Sequence, residues 1–145
     1  MIESKQLKAA LRDLKKGKRG IARALAAIQH GSDNGDASAA YALATWYLFG
    51  KYVKKDHVRA VKLLKEAANQ NISEALYDLA VCYEKGAGAR KNEKKAYELY
   101  LRASIWGDKQ SIAEVGRCLF FGIGTRQNRR VARFWLDRAE SLGLS

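Results

Sequence analysis

At 145 residues the chain has room for one domain with a core of its own, and no stretch is long and apolar enough to cross a membrane. An excess of Lys and Arg gives it a net charge of +12, which favours acidic partners such as nucleic acid, anionic lipid or an acidic protein and says nothing about fold. Proline is absent, as suits an all-helical chain, and residues 1–20 carry Lys5, Lys8, Arg12, Lys15, Lys16, Lys18 and Arg19 without a secretory hydrophobic segment, so a cytoplasmic location is expected.

Residues 3–16 place Leu7, Leu11 and Leu14 on one stripe of a short amphipathic helix. Gly17 and Gly20 are expected to break it. A second helix is predicted from Ile21, with Ala24, Leu25 and Ile28 on its apolar face. From residue 39 the sequence repeats at a constant offset of 36 residues, without a gap. The columns read Leu43, Leu79, Val115; Tyr47, Tyr83, Leu119; Gly50, Gly86, Gly122; Asp56, Asn92, Asn128; Ala60, Ala96, Ala132; Ala67, Ala103, Ala139; and Asn71, Gly107, Gly143. Such periodicity is the signature of a repeat architecture.

Each copy predicts a helical hairpin. In the first, Ala39, Ala40, Leu43, Ala44 and Tyr47 form the core face of a helix A that ends at Gly50. A loop leads to Asp56, which should cap helix B as Asn92 and Asn128 should later. Helix B carries Ala60, Leu63, Leu64, Ala67 and Ala68, and it stops at Asn71, in a column where only Gly and Asn readily take the left-handed conformation. A second loop glycine, Gly88 or Gly124, stands where the first copy has Tyr52. The N-terminal helix pair aligns as a decayed repeat, with Ala24 in the Ala60 column and Gly35 in the Asn71 column. The domain is therefore read as 1–145, with a degenerate capping repeat at 1–35 and full repeats at 36–71, 72–107 and 108–145.

Cys82 and Cys118 share a column. Stacked repeats would hold them about 10 Å apart, beyond the usual Cα separation of a disulfide, about 4.4 to 6.8 Å, so two reduced, packed thiols are expected. His30 and His57 are not spaced to complete a metal site with them, and no metal or cofactor is expected. Gly86-Ala-Gly88 and Gly122-Ile-Gly124 look like nucleotide loops only superficially, because no strand precedes them. No catalytic constellation is present, and no enzyme activity is expected.

At these columns the chain resembles the Sel1-like repeat family, relatives of the tetratricopeptide repeat. Leu43-Ala44, Tyr47, Gly50 and Asp56 carry the resemblance in the first copy. Tyr83, Gly86-Ala-Gly88, Lys95-Ala96 and Tyr100 carry it in the second, and Val115-Gly116, Gly122-Ile-Gly124 and Trp135 in the third. The resemblance implies an all-α, right-handed α-α superhelix, a solenoid of helical hairpins serving as adaptor or scaffold without catalysis. A cysteine-rich branch of the family has a disulfide within each repeat, whereas this chain has at most one cysteine per repeat.

Two surfaces are candidates for binding. The groove face of helix A carries Tyr41, Thr45, Leu48 and Phe49, then Tyr77, Val81, Glu84 and Lys85, then Arg117, Phe120 and Phe121. Its ends are apolar and its middle charged, so a bound protein segment should be apolar at both ends with a polar centre. The loops carry Lys54, Lys55 and Arg59, then Arg90, Lys91, Lys94 and Lys95, then Arg126, Arg129 and Arg130. Aligned, these would form a basic ridge suited to an acidic protein or, as the runner-up reading, to nucleic acid. Phe134 stands in the column of Lys62 and Glu98, and an aromatic on the last helix suggests self-association or a partner contact.

Overall fold

Short apolar stripes separated by left-handed glycines leave each segment only one way to bury itself, which is to fold back on its neighbour as a helical hairpin. The computed structural model describes residues 4–144, and among them there is no strand. The start expected at residue 3 and the outer bounds of the domain, residues 1 and 145, lie outside the described residues. Two compact units are present, one running to Ile72 and the other beginning at Ser73.

The first unit contains α1 (Lys5–Asp13), a 3-10 turn (Leu14–Lys16), α2 (Gly17–Asp33), α3 (Ala37–Phe49) and α4 (His57–Asn69). Consecutive helices pack on one another. Leu7 and Ala10 of α1 and Ala24 and Ile28 of α2 are buried in its core, where α1 packs on α2, α2 on α3 and α3 on α4, and Leu43, Ala44, Ala60 and Leu64 are fully buried. Burying one such leucine is worth about 1.5 to 3 kcal/mol. The helix A and helix B core residues expected from the sequence, Ala39 to Tyr47 and Ala60 to Ala68 at helical spacing, are all buried.

One expectation fails here. Gly17 breaks the chain with φ +76, but Gly20 does not, for it lies inside α2 and is buried. A Cβ at Gly20 would stand 1.8 Å from the Asp13 carbonyl oxygen and 2.8 Å from the Lys16 Cβ. Close approach to the preceding turn, not flexibility, explains this glycine. Asp36 supplies a cap the repeat columns did not reveal: it accepts from the Ser38 and Ala39 amides at 3.0 and 3.2 Å and also from the Ser4 hydroxyl, which ties the start of α3 to the cap of α1.

The second unit contains α5 (Ser73–Lys85), α6 (Glu93–Ile105), α7 (Lys109–Phe121) and α8 (Arg129–Ser141). The repeat offset reappears in the backbone, since α3, α5 and α7, like α4, α6 and α8, are 13-residue helices that start 36 residues apart. The loops repeat too. Asp56, Asn92 and Asn128 each accept the amide three residues on at 3.0 Å, a cap worth about 1 kcal/mol. Their own amides donate to the carbonyls of Tyr47, Tyr83 and Leu119 at 2.9, 2.8 and 2.7 Å. The closing column is left-handed throughout, with φ +85 at Gly35, +58 at Asn71, +97 at Gly107 and +81 at Gly143. Tyr52 is forced into the same region, φ +64, where its column mates are glycines; its ring packs edge-on against Trp46 at 4.8 Å.

Cys82 and Cys118 are both free and buried, and burial pushes each thiol up to about 11. At pH 8 the thiolate is then scarce by roughly a thousandfold. Ellman's reagent should therefore find no fast thiol in the folded protein and two after denaturation. A rapid reaction without unfolding would contradict this packing.

Candidate functional site

The face of α5 opposite its buried Leu79 and Tyr83 opens on a cavity of about 440 Å3 in the second unit. Tyr77, Val81, Glu84 and Lys85 from α5 line it, with Tyr100 from α6 and Glu114 and Arg117 from α7. Side chains on one helix face recur every three or four residues, which is why 77, 81, 84 and 85 face the same space.

Its centre is an ion network. Arg117 Nη2 donates to both Glu84 oxygens at 2.6 and 2.8 Å, and its Nε donates to Glu114 at 2.7 Å. The Tyr100 hydroxyl donates to Glu84 Oε2 at 2.9 Å, and the Tyr77 and Tyr100 rings meet at 5.8 Å. Burial would lower the Arg117 pKa, but its hydrogen bonds to Glu84 and Glu114 and their charges raise it well above the usual value. Tyr100 is pushed far up by burial and then by the Glu84 charge, so it remains a donor. Burial and then the Glu114, Asp108 and Asp78 carboxylates raise Tyr77 in the same direction.

Tyr77, Val81, Glu84, Lys85 and Arg117, expected in the groove, are thus brought together, and Tyr100 and Glu114 join them. A signal for both existed. Tyr100 stands in a column of leucines, Leu64 and Leu136, where a hydroxyl needs a partner. Glu114 precedes Arg117 by one helical turn. Phe120 and Phe121 touch edge-on at 4.9 Å on α7, and Phe121 is 63% exposed. On α3, Tyr41, Thr45 and Leu48 are half-buried while Phe49 is 77% exposed. Thr45 spends its hydroxyl on the Ala42 carbonyl at 2.7 Å.

The loop cations are all exposed, but several lie on the protein's own groups. Arg59 sits over the Tyr47 ring at 5.2 Å, Lys95 over Tyr83 at 5.1 Å and Arg129 over Phe120 at 4.6 Å. Lys91 pairs with Glu93 at 3.6 Å. Lys54 and Lys55 line a second cavity with Arg59. Arg90 and Lys94 stand around the start of α6, and Arg126 and Arg130 around the start of α8. Among the described residues no group of His, Cys, Asp and Glu could hold a metal, and no helix is long and apolar enough to cross a membrane.

Helical hairpins recurring at an offset of 36 residues define a helical-repeat protein. The Sel1 repeat model matches residues 37–72, 73–105 and 109–144, and the chain belongs to the Sel1 repeat family. Sel1-repeat proteins are in general protein-interaction modules, and the fold is generally non-enzymatic. A Sel1 repeat protein from Oxalobacter formigenes is 30% identical, with a TM-score of 0.74 over 83% of this chain and 91% of that one. A protective antigen present in uropathogenic Escherichia coli strains, with the same fold, gives a TM-score of 0.89 at 24% identity over 95% of this chain, which spans 30% of that protein's length. Helicobacter pylori cysteine rich protein B shares the fold at 19% identity, with a TM-score of 0.65 over 88% of this chain and 91% of that one. No curated protein matches the chain in sequence.

Proposed function

We propose that the chain is a cytoplasmic, non-enzymatic protein-interaction module, an adaptor, scaffold or inhibitor-type binder, that holds a segment of a protein partner in the helix A groove. The observation that carries this reading is the cavity of about 440 Å3 on α5, α6 and α7. Arg117 and Tyr77 offer donors there, Glu84 and Glu114 offer acceptors, and Val81 with the Tyr77 ring offers apolar wall. That mixture suits a peptide, whose backbone brings an acceptor and a donor at each residue. Phe121, on α7, is an exposed aromatic of the kind that anchors partners. The net charge of +12 favours acidic surroundings in the partner.

A phage-displayed random peptide library panned on the full chain tests the reading. Peptides should be recovered, and Tyr77→Ala should weaken them. Failure to enrich any peptide, or peptides indifferent to groove variants, would remove it. Nucleic acid is the less favoured reading, because Lys95 and Arg129 rest on the chain's own rings and Lys91 pairs with Glu93. Its test is a titration with mixed-sequence DNA and RNA near about 50 mM salt, where phosphate contacts are strongest; no binding is expected there.

Self-association through α8 belongs to the same proposal. Phe134 is 71% exposed, and its column mates Lys62 and Glu98 are exposed as well, so it stands on an outer surface of the hairpin. Sedimentation should show wild type heavier than Phe134→Lys at high concentration. A monomer in both cases, with peptide binding unchanged, would end the idea.

A further inference from the structure

The loop of the first full repeat holds cations that the groove does not use. Lys54, Lys55 and Arg59 line one cavity of about 500 Å3 with Tyr47, Val53 and Asp56. The frame around it is fixed, since the Lys51 amide donates to the Trp46 carbonyl and the Asp56 amide to that of Tyr47, both at 2.9 Å. Arg59 is held as well. Its Nη1 donates to the Tyr47 hydroxyl at 3.0 Å and its guanidinium lies 5.2 Å from the centre of that ring, on a tyrosine that is itself buried. One nitrogen of the fork is spent on the hydroxyl, and a guanidinium carries five N–H donors. Holding a flexible arginine in place before a ligand arrives removes ordering cost from binding.

The charge balance chooses the ligand. In this lining three cations face one carboxylate, a formal excess of two positive charges, with Asp33, Glu66 and Lys62 beyond Arg59 in the adjoining cavity, and Asp56 already accepts the Arg59 amide at 3.0 Å as the cap of α4. A phosphate monoester carries about −1.5 to −2 at neutral pH, which matches that excess, whereas a carboxylate supplies half of it. The other loops are built differently. Where the first repeat has His57 the second has Glu93, which takes Lys91 at 3.6 Å. In the third, Gln127 replaces Lys55, and Arg129 lies over Phe120 at 4.6 Å. We infer that the Lys54, Lys55 and Arg59 cavity binds a phosphate dianion, borne on a phosphorylated side chain of a protein partner, since its volume leaves room beyond the phosphate for the residue that carries it.

Titrating the full isotope-labelled chain with N-acetyl-O-phosphoserine amide, and following the amides of residues 53–59 and the Arg59 Nε–H by NMR, tests this. Saturable shifts confined to that loop are expected, at least about tenfold stronger than with N-acetyl-aspartate amide, because a phosphate brings a second charge and a third acceptor oxygen. Arg59→Gln should weaken binding by on the order of tenfold, the loss of one charge-assisted fork. Tyr47→Phe, which keeps the ring and drops the hydroxyl, should weaken it less, and Arg23→Gln, the same charge removed from α2, should leave it unchanged. Equal loss in Arg23→Gln would show an unspecific charge effect and overturn the site. So would equal binding of the aspartate probe, or no shifts at all. Inorganic phosphate binding as tightly as the phosphoserine probe would overturn the assignment to a side chain and leave a free-ion site. Binding to vesicles containing a fifth anionic phospholipid, abolished by Arg59→Gln, with none to the phosphoserine probe, would assign the cavity to a lipid surface instead.

Discussion

Gly124→Ala is expected to cost the second unit about 3 kcal/mol or more. Its φ is +68, and a Cβ there would meet the Glu93 carbonyl oxygen at 2.0 Å, its carbon at 2.4 Å and the Lys94 nitrogen at 2.9 Å. All three are backbone atoms in the first turn of α6, so nothing can rotate away. The loop of the third repeat rests on the helix B of the second at this point, and the helix would have to move. Gly107 is the control. It too has a positive φ, +97, but a Cβ there meets nothing within 4 Å, so Gly107→Ala should cost only about 1 kcal/mol, the left-handed penalty alone. Denaturant midpoints of the two variants decide. Equal losses would mean that conformation, not contact, sets the requirement at Gly124.

The second large effect lies in the groove, where stability and binding should separate. Glu84 is 18% exposed and Arg117 35%, so the pair is screened on one side and falls between a surface bridge worth at most about 1 kcal/mol and a buried one whose breakage costs about 3 to 5. Arg117→Ala should therefore destabilise by about 1 to 2 kcal/mol and leave a folded protein. Truncating an interface anchor costs about 2 kcal/mol or more, so its effect on peptide affinity should be roughly thirtyfold or greater. Tyr77→Ala should do the same to affinity, because its ring faces the cavity while packing on Tyr100. Thermal melts read against binding isotherms check both. An Arg117→Ala protein that binds normally would reduce the network to an internal brace.

The repeat columns made the hairpins, caps and left-handed closures legible because each column does one backbone job in every copy. Asp56, Asn92 and Asn128 could be read as caps without any structure. Contacts between different columns could not be read that way. Glu84 and Arg117 are 33 residues apart and Glu84 and Tyr100 are 16, separations at which a 36-residue comparison pairs nothing. Gly124 looked like a turn residue; its contact with Glu93 depends on how two hairpins of the second unit stack. Asp36 and Asp108 cap α3 and α7 alike, but Ile72 interrupts their column, so it does not read as a cap column in the sequence. Tyr47 and Arg59 stand 12 residues apart, as do Tyr83 and Lys95, and the third copy changes both members together, to Leu119 and Val131. That joint change marks the aromatic and the cation as partners, so part of the exposed basic edge is held in place by the chain's own rings.

The groove assignment rests most directly on one comparison. With a peptide recovered from the library in hand, its affinity is measured for Tyr77→Ala and Phe121→Ala, and for Lys91→Ala and Arg130→Ala, with circular dichroism confirming helix content in each. The aromatic variants should lose at least about tenfold and the basic ones less than about threefold, since rim charges alter encounter more than residence. Folded aromatic variants that keep their affinity while the basic ones lose it would contradict the account and move the site to the loop edge.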